Sequence, residues 1–386
     1  MHGSRLVSTA CLLGALTCLT DAQEREPQQR VVLLRVPDEG IQPQVAVDGA
    51  GVVHLIYFRG APKGGDVHYV RSEDGGTSFS APLSVNSTAG SVVAVGTMRG
   101  AQLALGAEGR VHVAWMGSQR AAPVPGTDAR PMLYARLNDE GTGFEPERNV
   151  IHEEIGLDGG GSIAADARGN VWVVWHAGES GEAERRVWVA RSADGGATFG
   201  PEYAAGDEPT GACGCCGMRA FATGDDLFVL YRSATGMTKR DTILLRSSDG
   251  GRSFRGNRID PWRVNRCPGS SFFLTSSPDG PLAAWQTKDD VYVGRVLPGK
   301  AAVSKAKSPR GRGARKHPVA AANAEGEVLL AWAEGTSWQQ GGSIAWQLYD
   351  AKLMAVRGES GLREGLPVWS LLAVFARPDG SFGLIY

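Results

Sequence analysis

Seven short apolar runs, each closing on an aromatic residue, are spaced along the chain: Val53–Tyr57, Val111–Trp115, Val171–Trp175, Leu227–Tyr231, Leu282–Trp285, Val328–Trp332 and Phe382–Tyr386. Each follows a second apolar stretch and a tight polar turn, as in Gln44-Val45-Ala46-Val47 before Asp48-Gly49-Ala50-Gly51, or Ala321-Ala322 before Asn323-Ala324-Glu325-Gly326. Runs of four or five residues that are apolar at nearly every position, not at alternate ones, predict strands covered on both faces. The pattern therefore predicts seven pairs of inner strands, each pair sandwiched between its neighbours.

A second pattern repeats independently of the first. The turns Ser72-Glu73-Asp74-Gly75-Gly76-Thr77-Ser78-Phe79, Ser192-Ala193-Asp194-Gly195-Gly196-Ala197-Thr198-Phe199 and Ser247-Ser248-Asp249-Gly250-Gly251-Arg252-Ser253-Phe254 share one design, and Asn138-Asp139-Glu140-Gly141-Thr142-Gly143-Phe144 is a degraded copy. A carboxylate can accept backbone N–H groups, the glycines supply positive φ, and the aromatic residue pins the turn to a sheet. With aspartates at 74, 139, 194 and 249, the period is close to that of one four-stranded propeller blade. Seven inner pairs imply seven blades, or six if one pair folds otherwise. The run Arg30–Val36 can supply a strand that closes the ring, which removes an exposed sheet edge. The expected class is all-β: a β-propeller of four-stranded antiparallel blades, with one domain spanning residues 30–386.

These turns match S-x-D-x-G-x-T-F/W, the Asp-box or BNR repeat, and the chain resembles the sialidase-like β-propellers over nearly all of its expected mature length. The resemblance places the Asp-boxes between the outer strands, on the face opposite the family's substrate pocket, and so gives them a structural role. It also implies a catalytic set: an arginine in an R-I-P motif at the first inner strand, two more arginines to clamp a carboxylate, an acidic residue, and a tyrosine paired with a glutamate. Arg59 matches the second arginine. The first inner strand opens on Gln42-Pro43-Gln44, without an arginine, and Leu34-Arg35-Val36-Pro37 comes too early. Gly60–Gly65 holds no carboxylate, and Asp66 leads directly into the next strand. Arg219 and Arg315 begin later inner strands and could reach the axis. The expectation is a sialidase-like propeller without sialidase chemistry that binds a ligand at the channel mouth. The alternative is an exo-α-sialidase-like glycoside hydrolase, with Arg59 and Arg219 clamping an acidic sugar.

The N-terminus bears on compartment. Arg5, an apolar stretch from Leu6 to Leu19, and Thr20-Asp21-Ala22 read as a secretory signal over residues 1–22, followed by a short polar segment, 23–29. The apolar stretch is short for a membrane span, and none later is long enough. The expected location is periplasmic or extracellular. Fifty-three glycines and 42% hydrophobic residues suit short strands joined by many turns. A net charge of −1 argues against nucleic acid as a partner. A monomer is expected.

Once the signal is removed, Cys213, Cys215, Cys216 and Cys267 are the cysteines left. Cys213-Gly214-Cys215-Cys216-Gly217 precedes the inner strand of the fourth blade, Cys267-Pro268 that of the fifth, and His317-Pro318 that of the sixth, so all can meet on one face near the axis. Three readings stay open. Export favours two disulfides, for example Cys213–Cys216 with Cys215–Cys267. Vicinal cysteines with a histidine suit Zn²⁺ or Cu⁺, with Cys213, Cys215, Cys216, Cys267 and His317 as ligands. The C-x-x-C spacing of Cys213 and Cys216 also permits redox chemistry. Trp338, in a loop on the same face, can stack on a sugar; His176, after Trp175, is a further contact candidate; His54, His68 and His112 read as strand residues. The basic run Lys300–Lys316 suits either a solvated outer edge or an acidic polymer such as a uronate-bearing glycan. A glycan or another acidic ligand is thus the expected class of partner.

Overall fold

The computed structural model describes residues 1–3, 30–206, 210–304, 307–310 and 313–386. The signal-peptide expectation, apart from its first three residues, falls outside them. Among the described residues seven sheets form the ring, six of them wholly antiparallel. Blade 1 comprises Ile41–Val47, Val53–Ala61, Gly64–Ser72 and Leu83–Ser84, and blade 2 comprises Gln102–Leu105, Val111–Met116, Met132–Arg136 and Arg148–Asn149. Blade 3 is Gly161–Ala165, Val171–Ala177, Arg186–Ser192 and Tyr203–Ala204; blade 4 is Arg219–Thr223, Asp226–Arg232, Thr242–Ser247 and Arg255–Asp260. Blade 5 holds Phe273–Thr275, Leu282–Thr287 and Asp290–Arg295, and blade 6 holds Arg315–Ala322, Val328–Glu334, Gly342–Tyr349 and Ala355–Leu366. Blade 7 joins Ala373–Ala376 and Phe382–Ile385 to the N-terminal strand Val31–Leu34, which runs parallel to its partner with Val31 opposite Phe382.

The count of seven and the closing N-terminal strand agree with the sequence reading, but among the described residues two sheets have three strands instead of four. In blade 5 the described part of the outermost segment pairs through bridges at Val293–Lys307 and Val296–Val303. Proline at 298 and 309 and a run of basic residues favour such an irregular edge over a regular strand. Among the described residues no helix is long and apolar enough to cross a membrane.

The core lies between the blades. Ile56, Phe58, Val67 and Tyr69 of blade 1 pack with Leu103, Val113 and Trp115 of blade 2, and similar clusters recur around the ring. Trp115, Trp172, Trp175 and Trp285 are fully buried, which explains why the second strands are apolar on both faces. Burying one large apolar side chain contributes about 1.5–3 kcal/mol. His54 and His112 are strand residues, each bonded to a tyrosine hydroxyl of the neighbouring strand: Nδ1 to Tyr69 Oη at 2.8 Å and to Tyr134 Oη at 2.7 Å.

The Asp-boxes connect third and fourth strands and latch each blade to the one before it. In blade 3, the Ser192 hydroxyl donates to Asp194 at 2.6 Å and accepts from the Gly196 N–H at 2.9 Å, while Asp194 accepts the Thr198 N–H and hydroxyl at 2.9 and 2.6 Å. The boxes at Asp74 and Asp249 repeat this pattern. Although partial burial opposes it, this bonding lowers the Asp194 pKa to about 2. Gly196 has φ +79, and a Cβ there would overlap the Tyr134 hydroxyl of blade 2, so glycine is required twice over. In the degraded copy the turn is held by Asn138, whose Oδ1 accepts the Thr142 N–H at 2.9 Å. Asp139 instead pairs with Arg110, so the fourth repeat has moved its carboxylate-like acceptor back by one residue.

Candidate functional site

Because first strands run from the cysteine face to the opposite face, the Asp-boxes and the cysteine loop occupy opposite ends of the channel. At the Asp-box end the channel opens into a cavity of about 420 Å³, walled by the ends of all seven first strands and apolar except for Arg219, Thr275 and Ser276. At the cysteine end, Met98, Met218, Phe272 and Leu372 leave only about 20 Å³.

Arg219 lies inside the channel, between these spaces. Its Nη1 donates to Gln44 Oε1 of blade 1 at 2.8 Å and Gln102 Oε1 of blade 2 at 2.6 Å, and its guanidinium rests 4.6 Å from the centre of the Phe273 ring. Its accessible surface faces the cavities, and Nε has no hydrogen-bond partner. Burial lowers its pKa to about 10. Arg59, by contrast, is on the rim, 3.5 Å from Asp38, whose other contact is the Tyr57 hydroxyl at 2.8 Å. It lines neither channel cavity. Arg35 stacks on the Tyr386 ring at 4.1 Å. Arg315 is buried and bonded to Asp290 and to the Pro309 and Arg310 carbonyls, which gives it a structural place. The structure thus brings none of these arginines together as a clamp.

The open space on the cysteine face lies beside the axis. A groove of about 610 Å³ runs over the loops entering blades 2 and 3, with a floor of Val93, Val95, Met116 and Leu157. Lys63, Arg99 and Arg130 border it, and Asp158 is its one carboxylate. Asp158 is shared between Arg99 at 2.7 Å and Arg185 at 3.3 Å, leaving the groove with excess positive charge. Trp338 forms one wall. It is 60% exposed, packs edge-on against Trp369 with ring centres 5.8 Å apart, and leaves room only for glycine at position 96. Trp338 was legible in the sequence; Lys63, Arg99 and Arg130 were not, since they come from separate connecting loops with no common motif.

The cysteine loop borders this groove through Asp158 and Arg185, both close to Gly214. Cys215 and Cys267 form a disulfide that staples the loops entering blades 4 and 5. Cys213 and Cys216 are free and buried, so that one of the two bridges in the disulfide reading is formed; their sulfurs are 3.4 Å apart, and the Cys213 sulfur is also 3.1 Å from that of Cys215. Burial works to raise the Cys216 pKa, but the Cys213 S–H, the Arg232 guanidinium and the Ser270 N–H together lower it below the usual thiol value. Donating to Cys216, and buried, Cys213 is pushed well above the usual thiol range. His317 is engaged at both nitrogens, by Ser271 Oγ at 3.1 Å and Thr97 Oγ1 at 3.1 Å, and burial lowers its pKa to about 3. Its φ of +53 sits at a bulge that Gln42 repeats in blade 1 with φ +55, so both X-Pro steps serve strand entry. Neither ring nitrogen of the buried His176 makes a hydrogen bond of ordinary geometry, although the Cys216 backbone is within reach. Burial is the main reason its pKa falls to about 4.

No protein-family profile matches the chain, and no curated protein matches its sequence. Solved structures do match. A Hadza microbial sialidase aligns with TM-score 0.54 and 14% identity over 81% of this chain, which spans 66% of that protein's length. The NanB sialidase of Streptococcus pneumoniae gives TM-score 0.52 and 8% identity over 87% of this chain and 69% of its own. An α-L-arabinanase of Penicillium chrysogenum gives TM-score 0.50 and 13% identity, covering 82% and 95%. The protein has the sialidase-like β-propeller fold, and at these identities the likeness concerns the fold.

Proposed function

We propose that this chain is an exported binding propeller that takes an acidic glycan in the groove beside the channel, without sialidase hydrolysis. One observation carries the reading: Lys63, Arg99 and Arg130 converge with an exposed tryptophan around an apolar floor, against one carboxylate already shared by two arginines. An aromatic face stacks on the apolar face of a sugar, and cations around it select carboxylate-bearing sugars. The similar structures are those of sialidases and an arabinanase, which supports a glycan as the ligand class. Against hydrolysis stand Arg219, bonded inside the channel by two glutamines, and Arg59, paired on the rim. The Cys215–Cys267 staple holds the loops next to the groove.

The experiment is calorimetric titration with sialylated, uronate-bearing and neutral oligosaccharides beside a fluorogenic sialoside turnover assay. Binding of the acidic sugars that weakens about tenfold in Trp338→Ala and in Arg130→Gln, with no turnover, supports the reading. Turnover of the sialoside would replace it with the hydrolase reading.

A further inference from the structure

We propose that Cys213 and Cys216 form a site for one cuprous ion, Cu(I), held between their two sulfurs behind the Cys215–Cys267 staple. The site is distinct from the glycan groove and does not depend on it.

The first observation is the pair itself: two free thiols, 1% and 2% exposed and 3.4 Å apart, in a glycine loop fixed by the Gly214 N–H donating to Glu182 at 2.8 Å. The second is the environment of Arg232. This guanidinium is 1% exposed, donates to the carbonyls of Arg240 and Gln286, stacks 5.1 Å from both Trp262 and Phe272, and leaves Nε without a partner. No carboxylate is within ion-pair distance of it among the described residues. A buried cation without a counter-charge is strongly destabilising, and the cysteine loop lies directly against this one, the Cys213 N–H donating to the Arg232 carbonyl at 3.0 Å. An anionic complex of the two sulfurs would supply the missing counter-charge.

Charge balance then selects the ion. Cu(I) entering between the two sulfurs displaces the thiol protons to solvent and gives a bis-thiolate complex of charge −1, which supplies Arg232 with a counter-ion. Zn²⁺ between the same sulfurs would give a neutral complex, leave Arg232 uncompensated, and want two more protein ligands where Cys215 is already in a disulfide. Thiolates are also the donors that favour Cu(I). A neutral Cys213–Cys216 disulfide would leave Arg232 without an anion. The imidazole of His176 lies against the same loop, with no hydrogen bond of ordinary geometry at either nitrogen, and adds a neutral donor that an ion here can use.

The full mature chain, isolated anaerobically, is titrated with Cu(I)–bicinchoninate and examined by X-ray absorption. One copper per chain with two sulfur neighbours is expected, together with protection of two otherwise alkylatable thiols. Cys213→Ser and Cys216→Ser should each bind at least 100-fold more weakly, and Arg232→Leu at least tenfold. The double variant Cys215→Ser/Cys267→Ser should keep one copper, and excess Zn²⁺ should not displace it. A native Cys213–Cys216 disulfide, copper uptake unaltered in Cys213→Ser and Cys216→Ser, or displacement by Zn²⁺ would each overturn the proposal. The alkylation test needs no substitution and so decides even if a variant does not fold.

Discussion

The indole N–H of Trp172, in blade 3, donates to the carbonyl of Gly250 in the Asp-box of blade 4 at 3.0 Å. Arg136 of blade 2 does the same for Gly195 of blade 3 at 2.7 Å, and Arg377 of blade 7 for Gly75 of blade 1 at 3.0 Å. The box is therefore an inter-blade fastener as well as a turn. A Cβ on Gly251, at φ +87, would approach Trp172 Nε1 to 2.6 Å, so Gly251→Ala combines backbone strain with displacement of the indole. A loss of about 2–3 kcal/mol is expected from urea unfolding, against about 1 kcal/mol for Trp172→Phe, which removes one hydrogen bond.

Ser192 isolates the turn from the latch. Replacing it with alanine leaves the buried Gly196 N–H without its acceptor, which costs about 1–3 kcal/mol. Because the box lies at the far end of the ring, glycan affinity in the folded Ser192→Ala protein should equal that of the parent. A weakened affinity would show that the two ends of the channel are coupled.

Acid should loosen the ring earlier than carboxylate titration alone predicts. Burial, with help from Arg110 and Arg136, lowers the His112 pKa to about 3, and burial lowers that of His54. An unfolded chain takes up these protons near pH 6.5 and the folded one does not, so stability is complete above that pH and declines as pH falls from about 6.5 toward 3. Urea midpoints measured from pH 7.5 to 4 should fall steadily. In His112→Gln the fall should be shallower; an unchanged slope would assign it to other groups.

The Cys215–Cys267 link spans 52 residues. Chain-entropy arguments give about 4 kcal/mol for a loop of that size, as an upper figure. The double serine variant should therefore melt several degrees lower, and added reductant should lower the parent's midpoint toward that of the variant while leaving the variant itself unmoved.

Arg219 distinguishes a channel plug from a substrate clamp. Arg219→Gln should cost stability, since Gln44 and Gln102 lose their shared donor, yet leave acidic-glycan affinity in the groove within about twofold of the parent. A loss of affinity comparable to that of Arg130→Gln would bring the channel into the binding site.

The parts of this architecture that repeat were legible in the sequence because their causes are local. A serine two residues before an aspartate and glycines at fixed offsets encode a box; an apolar run ending in tryptophan encodes a strand covered on both sides. Even so, Asn138 shows how a shift of one residue can hide the functional acceptor behind a better-looking neighbour, Asp139. The groove was only partly visible, since Lys63, Arg99 and Arg130 meet through the ring geometry and not through spacing. Arg232 was hidden for a different reason: nothing in Leu230-Tyr231-Arg232-Ser233 signals that the guanidinium will be buried behind the cysteine loop without a carboxylate.

Val31–Leu34 pairs with Phe382–Ile385, and the Tyr386 N–H and carbonyl bond to Leu34 and Val36 at 3.0 Å. Seventh-blade assembly therefore brings together residues some 350 positions apart in the chain, a long-range closure that is slow to form. During synthesis the emerging polypeptide holds six blades' worth of apolar strands with no ring to shelter them until its last strand is free. Docking of that strand is thus the step that seals blade 7 against blade 1, where Val53, Leu55 and Tyr57 pack with Phe375 and Ile385.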